Sequence, residues 1–160
     1  MIRTMLVLLA LTPLHSAFAN EAVLAAERKE LSPDCTEIEF DDGFLSEEDV
    51  NGDSLPDAVV DYGSLQCNGS YSGFCGSGGC TIRIYLQRAD GSYALAGDLL
   101  AHAVVFDRPA EASFRASSHG SACDRVGAEA CDLRFRFEGE RMILVGEVAE
   151  DGDVAPPTDR

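Results

Sequence analysis

Three aspartates and an asparagine crowd into nine positions of the stretch DVNGDSLPDAVV, which then turns apolar. With Asp49 as position 1, Asp49, Asn51, Asp53 and Asp57 fall at positions 1, 3, 5 and 9. Alternate residues of a tight loop can point inward, so these side-chain oxygens can converge, and the carbonyl of Leu55 at position 7 can add a fifth. Calcium takes about six to eight hard oxygens at roughly 2.3–2.6 Å and tolerates irregular geometry, whereas magnesium demands a stricter octahedron. Carboxylates packed this closely repel one another, and a divalent cation among them turns repulsion into attraction. The spacing predicts a structural Ca²⁺ site built from Asp49, Asn51, Asp53, the Leu55 carbonyl and Asp57. The competing expectation is an Asx-rich turn that caps a strand without metal. Position 12, where an EF-hand places a bidentate Glu, is Val60, and position 6, usually Gly, is Ser54. If position 6 needs a positive φ, the serine costs about 1 kcal/mol. The expected affinity is then modest, in the roughly 10⁻⁴–10⁻³ M range of extracellular calcium modules.

The run D-x-N-G-D-x-x-P-D followed by Ala58-Val59-Val60 resembles the calcium loop of FG-GAP repeats, also called VCBS repeats, which form the blades of integrin-type β-propellers. CTIRIYLQRADGSYALAG looks like the strand, turn and strand that follow in such a repeat, with Arg88 to Tyr93 at its turn. The resemblance covers about residues 45 to 97, a single repeat. It implies the same five calcium ligands and a structural role for the ion. It does not imply a propeller, because one blade cannot close a ring. Together with CGSGGC and HGSAC, the loop also resembles small exported bacterial proteins, a likeness that implies no activity.

Other residues invite chemistry less strongly. Ser77, within CGSGGC, and His119, within HGSAC, are the components of a hydrolase site, but the aspartate that usually precedes such a serine is replaced by Gly76. The glycines of CGSGGC suit a disulfide-closed turn that needs positive φ. They could also offer N–H groups to an anion, although no Lys or Arg lies among them. His102 precedes a strand and reads as structural. Paired acids such as Asp41-Asp42 and Glu47-Glu48 read as solvated loops. The chain has no tryptophan to stack a sugar. Asn68-Gly69-Ser70 matches a glycosylation sequon.

The elements that must position these residues begin after an expected signal peptide, residues 1–19. Arg3, the apolar run Met5 to Leu11 and Ala17-Phe18-Ala19 are its charged, hydrophobic and cleavage regions. The apolar run is too short to span a bilayer. Beyond it the chain carries 11 basic and 28 acidic residues, a charge of −17 that disfavours nucleic acid and anionic membranes as partners. The expected location is secreted or periplasmic. All six cysteines, Cys35, Cys67, Cys75, Cys80, Cys123 and Cys131, lie in this part, and an even count in an exported chain reads as three disulfides. Proximity favours Cys75–Cys80 and Cys123–Cys131, which leaves Cys35–Cys67; Cys67–Cys75 is the rival pairing. No cysteine pair has the spacing of a zinc knuckle.

Residues 20–34 read as a loose arm or a short helix from Ala22 to Leu31, ended by Pro33. Residues 35–148 read as one domain. Ile82, Ile84 and Leu86 alternate with Thr81, Arg83, Tyr85 and Gln87, the pattern of a half-buried strand. Asp90-Gly91 marks a hairpin turn. Seven to eight short strands and no long helical period predict an all-β fold, a small antiparallel sandwich or open barrel stapled by disulfides. Residues 149–160 read as a disordered acidic tail. The function expected from these features is that of an exported, non-catalytic, calcium-binding structural or interaction module. Alternatives are a secreted hydrolase inhibitor that uses the disulfide-pinned loop at 63–80, and a small hydrolase built on Ser77 and His119.

Overall fold

The structure is a computed structural model and describes residues 16–127, 129–149 and 152–156. Most of the expected signal peptide, residues 1–15, lies outside the described residues. The first element among the described residues is a helix, α1 (Ser16–Leu31), which starts earlier than the expected Ala22. Twelve strands follow among the described residues: β1 (Ile38–Phe40), β2 (Leu45–Glu48), β3 (Asp57–Asp61), β4 (Leu65–Cys67), β5 (Cys75–Gly76), β6 (Gly79–Gln87), β7 (Tyr93–Ala101), β8 (Ala103–Phe106), β9 (Ser113–Ser118), β10 (Cys131–Glu138), β11 (Arg141–Val148) and β12 (Val154–Ala155). The excess over the expected seven or eight comes from two- and three-residue strands with too few side chains to show a period. One of them, β12, pairs with the end of β11 from within the stretch read as tail.

All strand pairings are antiparallel. One sheet runs β2-β3-β6, with β6 also pairing β5 and β7; a second runs β12-β11-β10-β9-β8; β1 and β4 form a small third. The two large sheets pack face to face as a sandwich and do not close into a barrel. Between them lies one core, with Val59, Ile82, Ile84 and Leu86 from the first sheet and Phe114, Ala116, Leu133 and Phe135 from the second. The Phe114 and Phe135 rings stack at 5.1 Å.

The alternation along β6 is as expected, but the strand is not half-buried. Its second face packs into another core, where Tyr85, Ala58 and Val60 meet Val23 and Leu31 of α1 and Phe44, Tyr62 and Leu65. The helix covers the side that the polar Arg83 and Gln87 suggested would face water. The chain passes from one sheet to the other at His102, the single residue between β7 and β8. Gly79 permits the corner: its φ is +100°, and a Cβ there would lie 2.0 Å from the Ala101 carbonyl oxygen. Disulfides join Cys35–Cys67, Cys75–Cys80 and Cys123–Cys131, the pairing that proximity favoured. Among the described residues no helix is long and apolar enough to cross a membrane.

Candidate functional site

The acidic loop connects β2 to β3, which pair from Leu45 opposite Val60 to Glu48 opposite Asp57. Asp49 organises the turn. Its Oδ1 accepts the Gly52 N–H at 2.7 Å and its Oδ2 the Ser54 N–H at 2.9 Å. Asn51 Oδ1 accepts the Asp53 N–H at 3.0 Å, and its Nδ2 donates to Asp53 Oδ2 at 3.1 Å. Asp53 Oδ1 accepts the Leu55 N–H at 2.8 Å. Such Asx bonds let a polar stretch turn sharply without a ladder. Ser54 takes a φ of +69°, so position 6 does need the left-handed conformation, at the cost expected for a non-glycine residue. At Gly52, also left-handed at +84°, a Cβ would lie 2.4 Å from the Pro109 carbonyl oxygen. The loop is thereby seated on the 3₁₀ turn Pro109–Glu111.

Asp57 is fully buried at the base of the loop. Its Oδ2 accepts the Val50 N–H at 3.0 Å and its Oδ1 the Gln87 N–H at 2.8 Å, so one carboxylate ties the start of the loop to the end of β6. Burial pushes the Asp57 carboxyl above the ordinary carboxylate range. The N–H groups of Gln87 and Val50 draw it back, and the charges of Asp53 and Asp49 push it up again.

The donor chemistry suits a hard cation: each carboxylate oxygen of Asp49, Asp53 and Asp57 accepts one hydrogen bond and keeps a further acceptor site. Closure is incomplete. Among the described residues no three acidic, histidine or cysteine side chains gather closely enough to hold an ion. Asp49, Asn51 and Asp53 share one turn, and Asp57 feels the charges of Asp49 and Asp53 from below.

Ser77, His102 and His119, from three separate stretches, line one depression of about 400 Å³. The Nδ1 of His119 meets Ser121, 2.9 Å from its Oγ and 3.4 Å from its N–H. Among the described residues no hydrogen bond joins Ser77 to His119, so the bond through which a base activates a hydroxyl nucleophile is not formed. The loop at 63–80 is pinned at Cys67 and across Cys75–Cys80. It presents Tyr71 half-exposed, its hydroxyl held by Asp41 and Gln66.

One polar cluster escaped the sequence reading. Glu27 of α1 is fully buried, and its carboxylate accepts hydrogen bonds from the hydroxyls of Tyr62 and Tyr85, the latter at 2.5 Å. Arg83 reaches it at 3.3 Å and Glu30 at 2.6 Å, and the guanidinium lies 5.2 Å from the Tyr62 ring centre. Burial, then the hydrogen bond to Glu27, push both phenols well above their ordinary value. Burial works against the Arg83 charge, but Glu30 and Glu27 together hold the guanidinium above its usual range. The Glu27 carboxylate engages both phenols and the Arg83 guanidinium, whose Nε is buried without a hydrogen-bond partner among the described residues, and the cluster is a docking latch for the helix. No family model matches the chain, and no similar curated protein or solved structure was found.

Proposed function

We propose that the chain is an exported, non-catalytic interaction module whose acidic loop takes up calcium as a structural clasp. The observation that carries the reading is Asp57, a carboxylate buried at the base of the loop and burdened by the charges of Asp53 and Asp49. A buried charge under like charges is costly, and a divalent cation held by Asp49, Asn51, Asp53, the Leu55 carbonyl and Asp57 offsets that cost. The ion would supply charge neutralisation and cross-linking, and its binding energy adds to folding energy. Three disulfides accord with an oxidising, extracytoplasmic compartment. Thermal unfolding with and without calcium tests the clasp. At a hundredfold excess over Kd the ion stabilises by about 2.7 kcal/mol, several degrees in Tm. An unchanged Tm, or an equal rise in the Asp49→Ala/Asp53→Ala variant, rejects it.

A second reading, inhibition of a hydrolase, draws on the doubly pinned loop and its half-exposed Tyr71. A rigid aromatic is a common interface anchor. Stoichiometric inhibition of one enzyme in a hydrolase panel, lost in Tyr71→Ala, is its expected result; no inhibition across the panel discards it.

A further inference from the structure

The sandwich opens along one edge into a cleft of about 500 Å³, bounded by β2, β3 and β6 on one side and β8 on the other. Its floor is apolar, with Val59 and Ile82 from one sheet and Val104 and Phe106 from the other. Two carboxylates stand on one wall, Glu48 and Asp61, and among the described residues that line the cleft none is lysine or arginine. Register puts Glu48 opposite Asp57 and Ser46 opposite Val59. Asp57, Val59 and Asp61 alternate onto one face of β3, so Glu48 and Asp61 sit four strand positions apart. At about 3.3 Å per residue the two stand roughly 13 Å apart along the groove. Val59 lies midway between them.

Both acids have capacity to spare. Asp61 Oδ1 accepts the Gly63 N–H at 2.7 Å, and the Glu48 side chain has no hydrogen-bond or ion-pair partner among the described residues. Gly63 keeps the wall open, since a Cβ there would lie 2.9 Å from Asp61 Oδ1 and 3.3 Å from Cys80 Sγ. The volume falls within the roughly 300–1,000 Å³ of small-molecule sites, which combine apolar walls with a few placed polar groups.

We propose that this cleft binds a linear organic dication, an aliphatic diamine or polyamine, with one ammonium at Glu48, the other at Asp61 and the hydrocarbon on Val59, Ile82, Val104 and Phe106. The two features select the class together. An inorganic cation leaves the apolar floor wet. A neutral apolar molecule desolvates the carboxylates without pairing them. A fatty anion meets like charge at both ends. The chain's formal charge of −16 concentrates cations near its surface and speeds their arrival.

Titration of the full chain at neutral pH with EDTA present, which removes divalent ions from the acidic loop, tests the assignment. The probes are 1,4-, 1,6- and 1,8-diaminoalkanes, with hexylamine and 1,8-octanediol as controls, read by calorimetry and by methyl shifts of Val59, Ile82 and Val104. The expected result is an optimum in chain length, with the best diamine at least tenfold tighter than hexylamine and the diol weaker still. Glu48→Gln and Asp61→Asn should each abolish the advantage of the diamine over hexylamine. Both are isosteric, and the amide introduced by Asp61→Asn still offers an oxygen to the Gly63 N–H, so folding is preserved. Diamine and monoamine of equal affinity, an unchanged diamine affinity in both variants, or no shift of the floor methyls overturns the proposal.

Discussion

Asp57 carries an unusual sign of pH dependence. Its folded pKa lies above the ordinary 3.8, first through burial and then through Asp53 and Asp49. The charged form is therefore disfavoured by folding, and the stability associated with this residue is lost as pH rises from 3.8 through the raised value. That is the reverse of a salt-bridged carboxylate such as Asp107. There burial acts to raise the pKa, but Ser113 and Arg134 outweigh it and hold the group low. Denaturant unfolding across this pH window should find Asp57→Asn gaining on the unmodified chain as pH rises, less so with calcium bound. A constant difference would mean that the carboxylate is not strained by its neighbours. The need for positive φ at Ser54 could be anticipated, because the spacing of oxygens fixes where a tight loop must reverse. The burial of Asp57 could not: nothing in the sequence says that the N–H groups of Val50 and Gln87 converge on one carboxylate. Nor does the sequence place His102 beside Ser77 and His119, since that depends on the corner between the sheets.

At the scale of elements, β6 was legible because its period is short and its apolar set uninterrupted. The helix was legible only as one of two alternatives, with its end at Leu31 but not its start at Ser16, and its buried face was not legible because of Glu27. Val23, Glu27 and Leu31 recur every four residues and form the buried stripe of α1, but an acid at the centre of that stripe breaks the apolar period. Burial of the second face of β6 follows from this latch. Glu27→Ala removes the acceptor for two phenols and one partner of a largely buried arginine. Breaking a buried pair costs about 3–5 kcal/mol. The expected outcome is a loss of that order in urea unfolding, with faster amide exchange along α1 while β9 and β10 keep their protection. Exchange left slow in the helix would assign its docking to Val23 and Leu31 alone. The disulfides were readable from proximity because each short loop brings its own cysteines together, which left Cys35 and Cys67 to meet across the β1–β4 pair.

For the whole molecule, the balance of 12 basic against 28 acidic residues sets how stability answers to salt. Self-repulsion opposes the compact state, and the Debye length falls from about 30 Å at 0.01 M to about 8 Å at 0.15 M. Exposed ion pairs such as Arg88–Glu140 and Arg108–Glu111 add little to stability, and screening weakens them over the same range. Repulsion summed over an excess of sixteen charges outweighs these few attractions, so sodium chloride should raise Tm and then level off once repulsion is screened. Screening is indifferent to which carboxylates it covers; a clasp is not. At equal ionic strength calcium should exceed sodium in the unmodified chain and match it in Asp49→Ala/Asp53→Ala, which removes two charges and keeps the rest of the field. Calcium and sodium acting alike in both proteins would reduce the acidic loop to one more contributor to the diffuse charge, with Asp57 held by backbone N–H groups alone.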